Sequence, residues 1–312
     1  MGGASPQGTS TTGATNGAPV VEFNDVTVTY PGKHVTRPAV VGIDLAVQKG
    51  SFVCVVGPSG CGKSTILHVC SGLLKISAGR FRYLGKEWNK LHPGIGYVTQ
   101  RETLLPWKTV LGNIALPLKI KGVPRAERTA RAAEMAASVG LGDWLNRYPR
   151  ELSGGMRQRV QLGRTLITDP TLLLMDEPFG ALDAVLRVRM QEFLKSRIEG
   201  SDLTTIFVTH DLTEALTLGD EVVAMAGAPG TIDQIDKLED LPRGVSPVQL
   251  RQSPAYAAHE ARLWKTIAGN LSDDGTALDN PALNTPALNT AASRHDANQA
   301  MAAVNHGQRE IS

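Results

Sequence analysis

The nine residues Gly57-Pro58-Ser59-Gly60-Cys61-Gly62-Lys63-Ser64-Thr65 have the spacing of a phosphate-binding loop. An apolar run, Phe52 to Val56, precedes them, and Ile66-Leu67-His68-Val69-Cys70 follows. The order is therefore strand, glycine-rich turn, helix ending near Gly72. Glycines let a backbone close around a phosphate chain, because no Cβ stands in the way. The loop amides and the helix N-terminus direct partial positive charge at the phosphates. Lys63 is expected to reach the β- and γ-phosphates and the Ser64 hydroxyl to ligate Mg2+.

A second group of residues carries acid–base or metal chemistry. Thr171 to Met175 is a continuous apolar run that ends in Asp176 and Glu177. Such a run reads as a strand covered on both faces, with its acids at the carboxyl end where open α/β sheets bind ligands. Asp176 is placed to hold Mg2+ through water, and Glu177 to orient or deprotonate a water. Gln100 ends the run Gly96-Tyr97-Val98-Thr99. It is either a satisfied polar cap or an oxygen donor to a metal or water. His210 ends the strand-like Thr204 to Thr209 and is either structural or a hydrogen-bond donor to a γ-phosphate. Ser153-Gly154-Gly155 opens a helix, and Ser153 suits an N-cap. Spacing alone favours a plain capped start over a second anion site. Tyr30 ends an early strand upstream of the loop and is read as a platform for an adenine ring. Asp183 lies in the turn Ala181-Leu182-Asp183.

Positioning these residues requires an α/β protein. Residues 20–47 alternate polar and apolar, as antiparallel strands around a turn near Pro31-Gly32. Residues 73–98 read as one short β segment. From Arg101 the composition turns helical, and Pro124 to Val139 forms a helix with Pro124 at its first position. Leu104-Leu105-Pro106-Trp107 is apolar between breakers, either core or a docking surface. Asp211 and Glu214 look like a capping box. Residues 222–225 and 232–235 form a hairpin. Ser253-Pro254 begins an amphipathic helix with Leu263, Trp264 and Ile267 on one side. The expected organisation is a leader over residues 1–19, a nucleotide-binding domain over 20–245 with a helical part at about 101–165, a helical extension over 246–271, and a low-complexity tail over 272–312, where Pro-Ala-Leu-Asn-Thr repeats.

Composition narrows the function. Charge is nearly balanced, 32 basic against 30 acidic residues, which argues against a nucleic-acid partner. No run is long and apolar enough for a transmembrane helix, and the N-terminus has no signal pattern, so a cytoplasmic protein is expected. The three cysteines, Cys54, Cys61 and Cys70, are clustered around the loop and read as buried or incidental thiols in a reducing compartment. Cys61 lies in the loop itself, so alkylation there is expected to block nucleotide binding.

In combination these motifs resemble the ATP-binding subunits of ABC transporters over about residues 20 to 240. Gly57 to Thr65 matches the Walker A loop, Gln100 the Q-loop, and Leu152 to Gln158 the LSGGQ-type signature with Met156 in place of Gln. Leu172 to Asp176 matches Walker B, Glu177 the catalytic glutamate, Ala181 to Asp183 the D-loop, and His210 the H-loop. Leu104 to Trp107, Asp176 to Asp183, Val208 to Asp211 with Glu214-Ala215, and Pro229 to Ile232 resemble the nitrate/sulfonate/taurine branch of importers. The resemblance implies a P-loop NTPase fold with a RecA-like core, an antiparallel β subdomain and an inserted helical subdomain. It implies ATP and Mg2+ as cofactors and catalysis by Glu177, His210 and Lys63. It further implies a head-to-tail dimer in which Ser153, Gly154 and Gly155 of one copy face the ATP held by the other. A permease is expected to dock beside Gln100 to Trp107 at the inner face of the membrane, with an extracytoplasmic solute-binding protein acting indirectly. The rivals are an ABC ATPase with a non-import task, such as lipid extraction or cell-wall enzyme control, and a non-catalytic nucleotide-gated module.

Overall fold

The structure is a computed structural model that describes residues 18–30, 37–198, 200–242 and 244–269. The expected turn at Pro31-Gly32, nearly all of the leader and the repeat-bearing tail lie outside the described residues. In chain order the elements are β1 (Val21–Tyr30), β2 (Arg37–Val47), β3 (Phe52–Val56), α1 (Lys63–Ser71), β4 (Ala78–Tyr83), β5 (Lys86–Glu87) and β6 (Ile95–Val98). Next come α2 (Val110–Ile114), α3 (Leu116–Ile120), α4 (Arg125–Ser138) and α5 (Gly154–Leu166). The remainder is β7 (Leu172–Asp176), α6 (Ala184–Ile198), β8 (Thr204–Val208), α7 (Leu212–Leu218), β9 (Glu221–Ala226), β10 (Thr231–Lys237), α8 (Pro247–Arg251) and α9 (Pro254–Gly269).

Two sheets result. One is antiparallel in the order β2-β1-β4-β5; the other runs β10-β9-β3-β8-β7-β6. In the second, every pairing from β9 across to β6 is parallel, and only the edge strand β10 is antiparallel. Residues 73–98 thus do not form one segment. β4 and β5 join the antiparallel sheet, whereas β6 closes the parallel sheet against β7.

The apolar runs β3, β7 and β8 are buried at every residue, as strands covered on both faces must be. Val53 and Val55 face one way, packing with Ile66 and Leu67 of α1 and with Phe23 and Ile43 of the antiparallel sheet. Phe52, Cys54 and Val56 face the other way, in the core shared with the helices. Helix α1 is therefore enclosed by two sheets, which fixes the loop at its head. The helices between β6 and β7 pack among themselves through Ile114, Ala132, Met135 and Val160. Helix begins only at Val110, later than composition suggests, and Pro124 is the N-cap of α4 rather than its first helical residue. On α9, Leu263 is fully buried and Ile267 packs at the core edge, but Trp264 is exposed, so the expected three-residue stripe holds for two.

Candidate functional site

Because β3, β6, β7 and β8 run parallel, their carboxyl ends share one edge. The loop follows β3, Gln100 follows β6, Asp176 ends β7 and His210 follows β8. Topology alone assembles them. A cavity of about 370 Å3 on this edge is lined by Tyr30, Ser59, Gly60, Gly62, Lys63, Ser64, Thr65, Gln100, Asp176 and Glu177 among others. Gly57, Pro58 and Cys61 complete the loop behind it.

Two glycines make the loop's close packing possible. Gly62 has φ +93°, and a Cβ there would stand 2.3 Å from Val40 Cγ1. Gly230, in the turn before β10, would place a Cβ 1.8 Å from the Cys61 carbonyl oxygen. Its own amide donates to Ala39 O and its carbonyl accepts from Val41 N, both at 2.9 Å. The loop is thus clamped between β2 and the last hairpin. Cys61 is buried beneath this clamp, and burial pushes its thiol pKa up, against the opposing pull of Lys63. Cys61 is thus a buried thiol, as read from the sequence, and a buried thiol held protonated is a poor nucleophile, which disfavours alkylation there.

Lys63 lies almost wholly inside the loop, 8% exposed, and its Nζ donates to Gly57 O and Pro58 O, each at 2.8 Å. Those carbonyls hold the ammonium over the loop, within reach of the anion the loop is shaped for. Tyr30 borders the cavity with its ring 43% exposed, and its hydroxyl lies 3.4 Å from Thr65 Oγ1. Asp176 is 7% exposed. Burial raises its carboxyl pKa, and a hydrogen bond from Ser64 opposes that rise.

Glu177 has φ +47°, a left-handed conformation that costs a non-glycine residue about 1–3 kcal/mol. Its amide donates to Val208 O at 3.0 Å, and Phe179 two residues on is buried, which holds the turn. The strain turns the side chain back across the strand ends. Glu177 Oε2 accepts from Gln100 Nε2 at 3.1 Å, and Oε1 lies 3.4 Å from His210 Nδ1. Three strand ends thus converge on one carboxylate. The oxygens of Ser64, Asp176 and Gln100 are hard donors suited to Mg2+. No group of three His, Cys, Asp or Glu among the described residues is arranged to hold a metal alone. The donor set fits a cation that arrives with phosphate oxygens.

Ser153, Gly154, Gly155 and Asp183 are not in this cavity. Ser153 Oγ accepts from Met156 N at 3.3 Å and caps α5, as expected. A Cβ on Gly155 would meet Leu182 Cδ2 at 2.9 Å, so the α5 N-terminus sits against the Ala181–Asp183 turn. Asp183 Oδ1 accepts from Leu186 N at 2.9 Å and caps α6. Sequence reasoning brings Ser153, Gly154 and Gly155 to the Lys63 site only through a second copy, whereas Asp183, expected among the ATP-binding residues, lies outside the cavity of its own chain.

Other residues were missed. Buried Asn113 folds the 104–109 loop, accepting from Leu105 N and donating to Leu105 O, Lys108 O and Thr109 O. Gln161, also buried, donates to Thr99 O at 2.9 Å and so fixes the approach to Gln100. A lone amide in a helical pattern gave no signal for either. Glu214 was read as half of a capping box. Asp211 does cap α7, but Glu214 turns inward to Thr209.

Residues 40–180 match the ABC transporter family model. The chain is 38% identical over 247 residues to the uncharacterized ABC transporter ATP-binding protein YtlC of Bacillus subtilis, covering 79% of this chain and 95% of that one. The chain belongs to the ABC transporter ATP-binding family. The taurine import ATP-binding protein TauB of Rhizobium johnstonii is 46% identical over 190 residues, 61% of this chain and 72% of TauB. The dimeric cassette MJ0796 bound to ADP and Pi aligns with a TM-score of 0.64 at 32% identity, covering 70% of this chain and 99% of that one. The fold is accordingly the P-loop cassette of this family. The protein is an ATP-binding, ATP-hydrolysing transporter ATPase.

Proposed function

We propose that this chain energises import of a small anionic solute by hydrolysing ATP between two copies of itself. The observation that carries the reading is the separation of its two half-sites. Lys63, Asp176, Glu177 and Gln100 line one cavity, while Ser153, Gly154 and Gly155 lie by the Ala181–Asp183 turn. A two-fold dimer brings each half to its complement and forms two sites. The solved dimer of MJ0796 supports that arrangement.

In each site the loop amides and Lys63 hold the phosphates, and the Tyr30 ring offers a face to adenine. Ser64, Asp176 and Gln100 would hold Mg2+, which supplies charge neutralisation on the phosphates. Glu177 takes a proton from the attacking water; such a base contributes about 10²–10⁴-fold. His210 keeps that carboxylate in place and offers its ring to the γ-phosphate. The partner's signature amides and the α5 N-terminus complete the anion site. Asp183 faces the partner at the turn. Gln100 joins the nucleotide cavity to the segment ending in Trp107, which is 71% exposed. That segment docks a permease, so the chain works as a peripheral subunit at the inner membrane face. No helix among the described residues is long and apolar enough to cross a membrane.

Relatives named for import of taurine and of sn-glycerol-3-phosphate support an anionic cargo. The test is uptake of labelled nitrate, taurine, alkanesulfonates and bicarbonate in a strain lacking the chain, complemented with wild type or Glu177→Gln. Loss of one solute, restored by wild type alone, is the expected result. Unimpaired uptake of the whole panel, with ATPase intact in the purified chain, would transfer the chain to a non-import ABC role.

A further inference from the structure

A second cavity, of about 50 Å3, lies behind the carboxylate of Glu177, walled by Thr209, His210, Arg187 and Glu214. Beside His210, its chemistry comes from Arg187, Thr209 and Glu214, to which no part in hydrolysis has been given. The Glu214 side chain is only 7% exposed. Its Oε2 accepts from Thr209 Oγ1 at 2.7 Å, and Oε1 accepts from Gln191 Nε2 at 3.3 Å. The same Thr209 hydroxyl accepts from the Asp211 amide at 3.0 Å. One carboxylate therefore fixes the residues on both flanks of His210, one directly and one through a hydroxyl. Burying a carboxylate is costly unless it is hydrogen-bonded or paired, and burial raises this one's pKa.

Arg187, from α6, supplies the pairing and adds a direction. Its Nη2 donates to Leu182 O at 3.3 Å, in the turn that carries Asp183. Its Nη1 lies 3.7 Å from Asp211 Oδ2, and its Nε 3.7 Å from Glu214 Oε1. Both contacts exceed hydrogen-bond length, and Nε is buried without a hydrogen-bond partner. The guanidinium is thus shared between the Ala181–Asp183 turn and the start of α7.

We propose that Arg187 and Glu214 are a positioning pair that holds His210, and through it Glu177, in register with the Leu182–Asp183 turn. The proposal rests on the assignment of Glu177 and His210 to hydrolysis made above. Neither Arg187 nor Glu214 lines the nucleotide cavity, so their loss acts on turnover rather than on ATP binding.

The test is steady-state ATPase and binding of a fluorescent ATP analogue by the full chain, with melting temperature as the folding control. The variants are Glu214→Gln, Arg187→Gln, Arg187→Lys, the Glu214→Gln/Arg187→Gln double, and Glu177→Gln. Each single loss is expected to lower kcat by about tenfold or more, with KM and analogue affinity within about twofold. Arg187→Lys, which keeps the charge, is expected to recover part of kcat, and it replaces Arg187→Gln if that variant does not fold. The double is expected to be no slower than the slower single, since both belong to one network. Unchanged kcat in the singles, additive losses, or a fall in analogue affinity that matches the fall in kcat would overturn the pair. Glu177→Gln separates the two assignments. If it abolishes turnover while the pair variants do not, only the positioning role fails. If it retains turnover, the assignment of the base fails first.

Discussion

At Glu177 the backbone is strained and two neighbours, Gln100 and His210, hold the carboxylate. Strain that a surrounding structure maintains at one acid points to a task for that acid. Glu177→Gln removes the base but keeps the size and the polar contacts. Turnover is expected to fall at least about 100-fold with ATP binding intact. Lys63→Ala removes the cation that fills the loop and is expected to lose binding and turnover together. Equilibrium binding of a fluorescent nucleotide beside phosphate release distinguishes the two; tight binding by Lys63→Ala would count against the phosphate loop.

At the scale of elements, the carboxyl-terminal helix is fastened by a charge cluster around a buried histidine. His259 on α9 is 3% exposed; Nδ1 lies 2.8 Å from Asp236 of β10 and Nε2 2.6 Å from Asp240, with Arg262 alongside. Burial alone pushes the imidazole pKa down, but the two carboxylates outweigh it and the net shift is upward. A raised pKa means that protonation stabilises the fold. The contribution is complete below the ordinary histidine value of about 6.5 and is lost as pH rises through the folded-state value. Melting curves between pH 5.5 and 9 are expected to show that decline in wild type and a flatter profile in His259→Gln. The 104–109 loop is the other element with a proposed task. Asn113 holds its backbone while Trp107 projects outward. Trp107→Ala is expected to reduce solute uptake about tenfold more than it reduces ATPase of the purified chain, a large share of interface energy residing in such residues. Equal losses in both assays would remove Trp107 from the docking surface.

For the whole molecule the question is where one active site ends. The loop and the α5 N-terminus are separate features of the same chain, and the proposed two-fold dimer would pair each with the other's complement. Lys63→Ala and Gly154→Asp each disable both sites of their own homodimer. A Cβ on Gly154 has room, 3.7 Å from Arg157 Nη2 and 3.8 Å from Ala181 Cβ, so that variant is expected to fold. A mixed dimer concentrates both defects in one site and leaves the other intact. Equal mixing of the two inactive proteins is expected to restore about a quarter of wild-type ATPase. No recovery on mixing would place the complete site within one chain.

Much of the site was legible because its parts are local in sequence. A glycine-rich turn after an apolar run, acids at the end of another, and a serine before two glycines state their geometry within a few residues. Parallel strands then gather the ends without further information. The residues that sequence reading missed or misplaced depend on distant partners. Glu214 looked like a helix cap until Thr209 and Arg187 gave it a buried place. Cys61 read as a buried or incidental thiol, and what covers it, Gly230, lies far along the chain. Asn113, Gln161 and His259 are ordinary residues in helical stretches, and their roles exist only where a loop, a strand end or a carboxylate is brought to them. The sequence by itself determined the family, the phosphate loop and the order of the strand ends, since those follow from covalent spacing and hydrophobic period. The tertiary structure alone decided which charges are buried, which thiol is shielded and which half-sites are apart, because burial and charge pairing are set by elements that meet only in the folded chain.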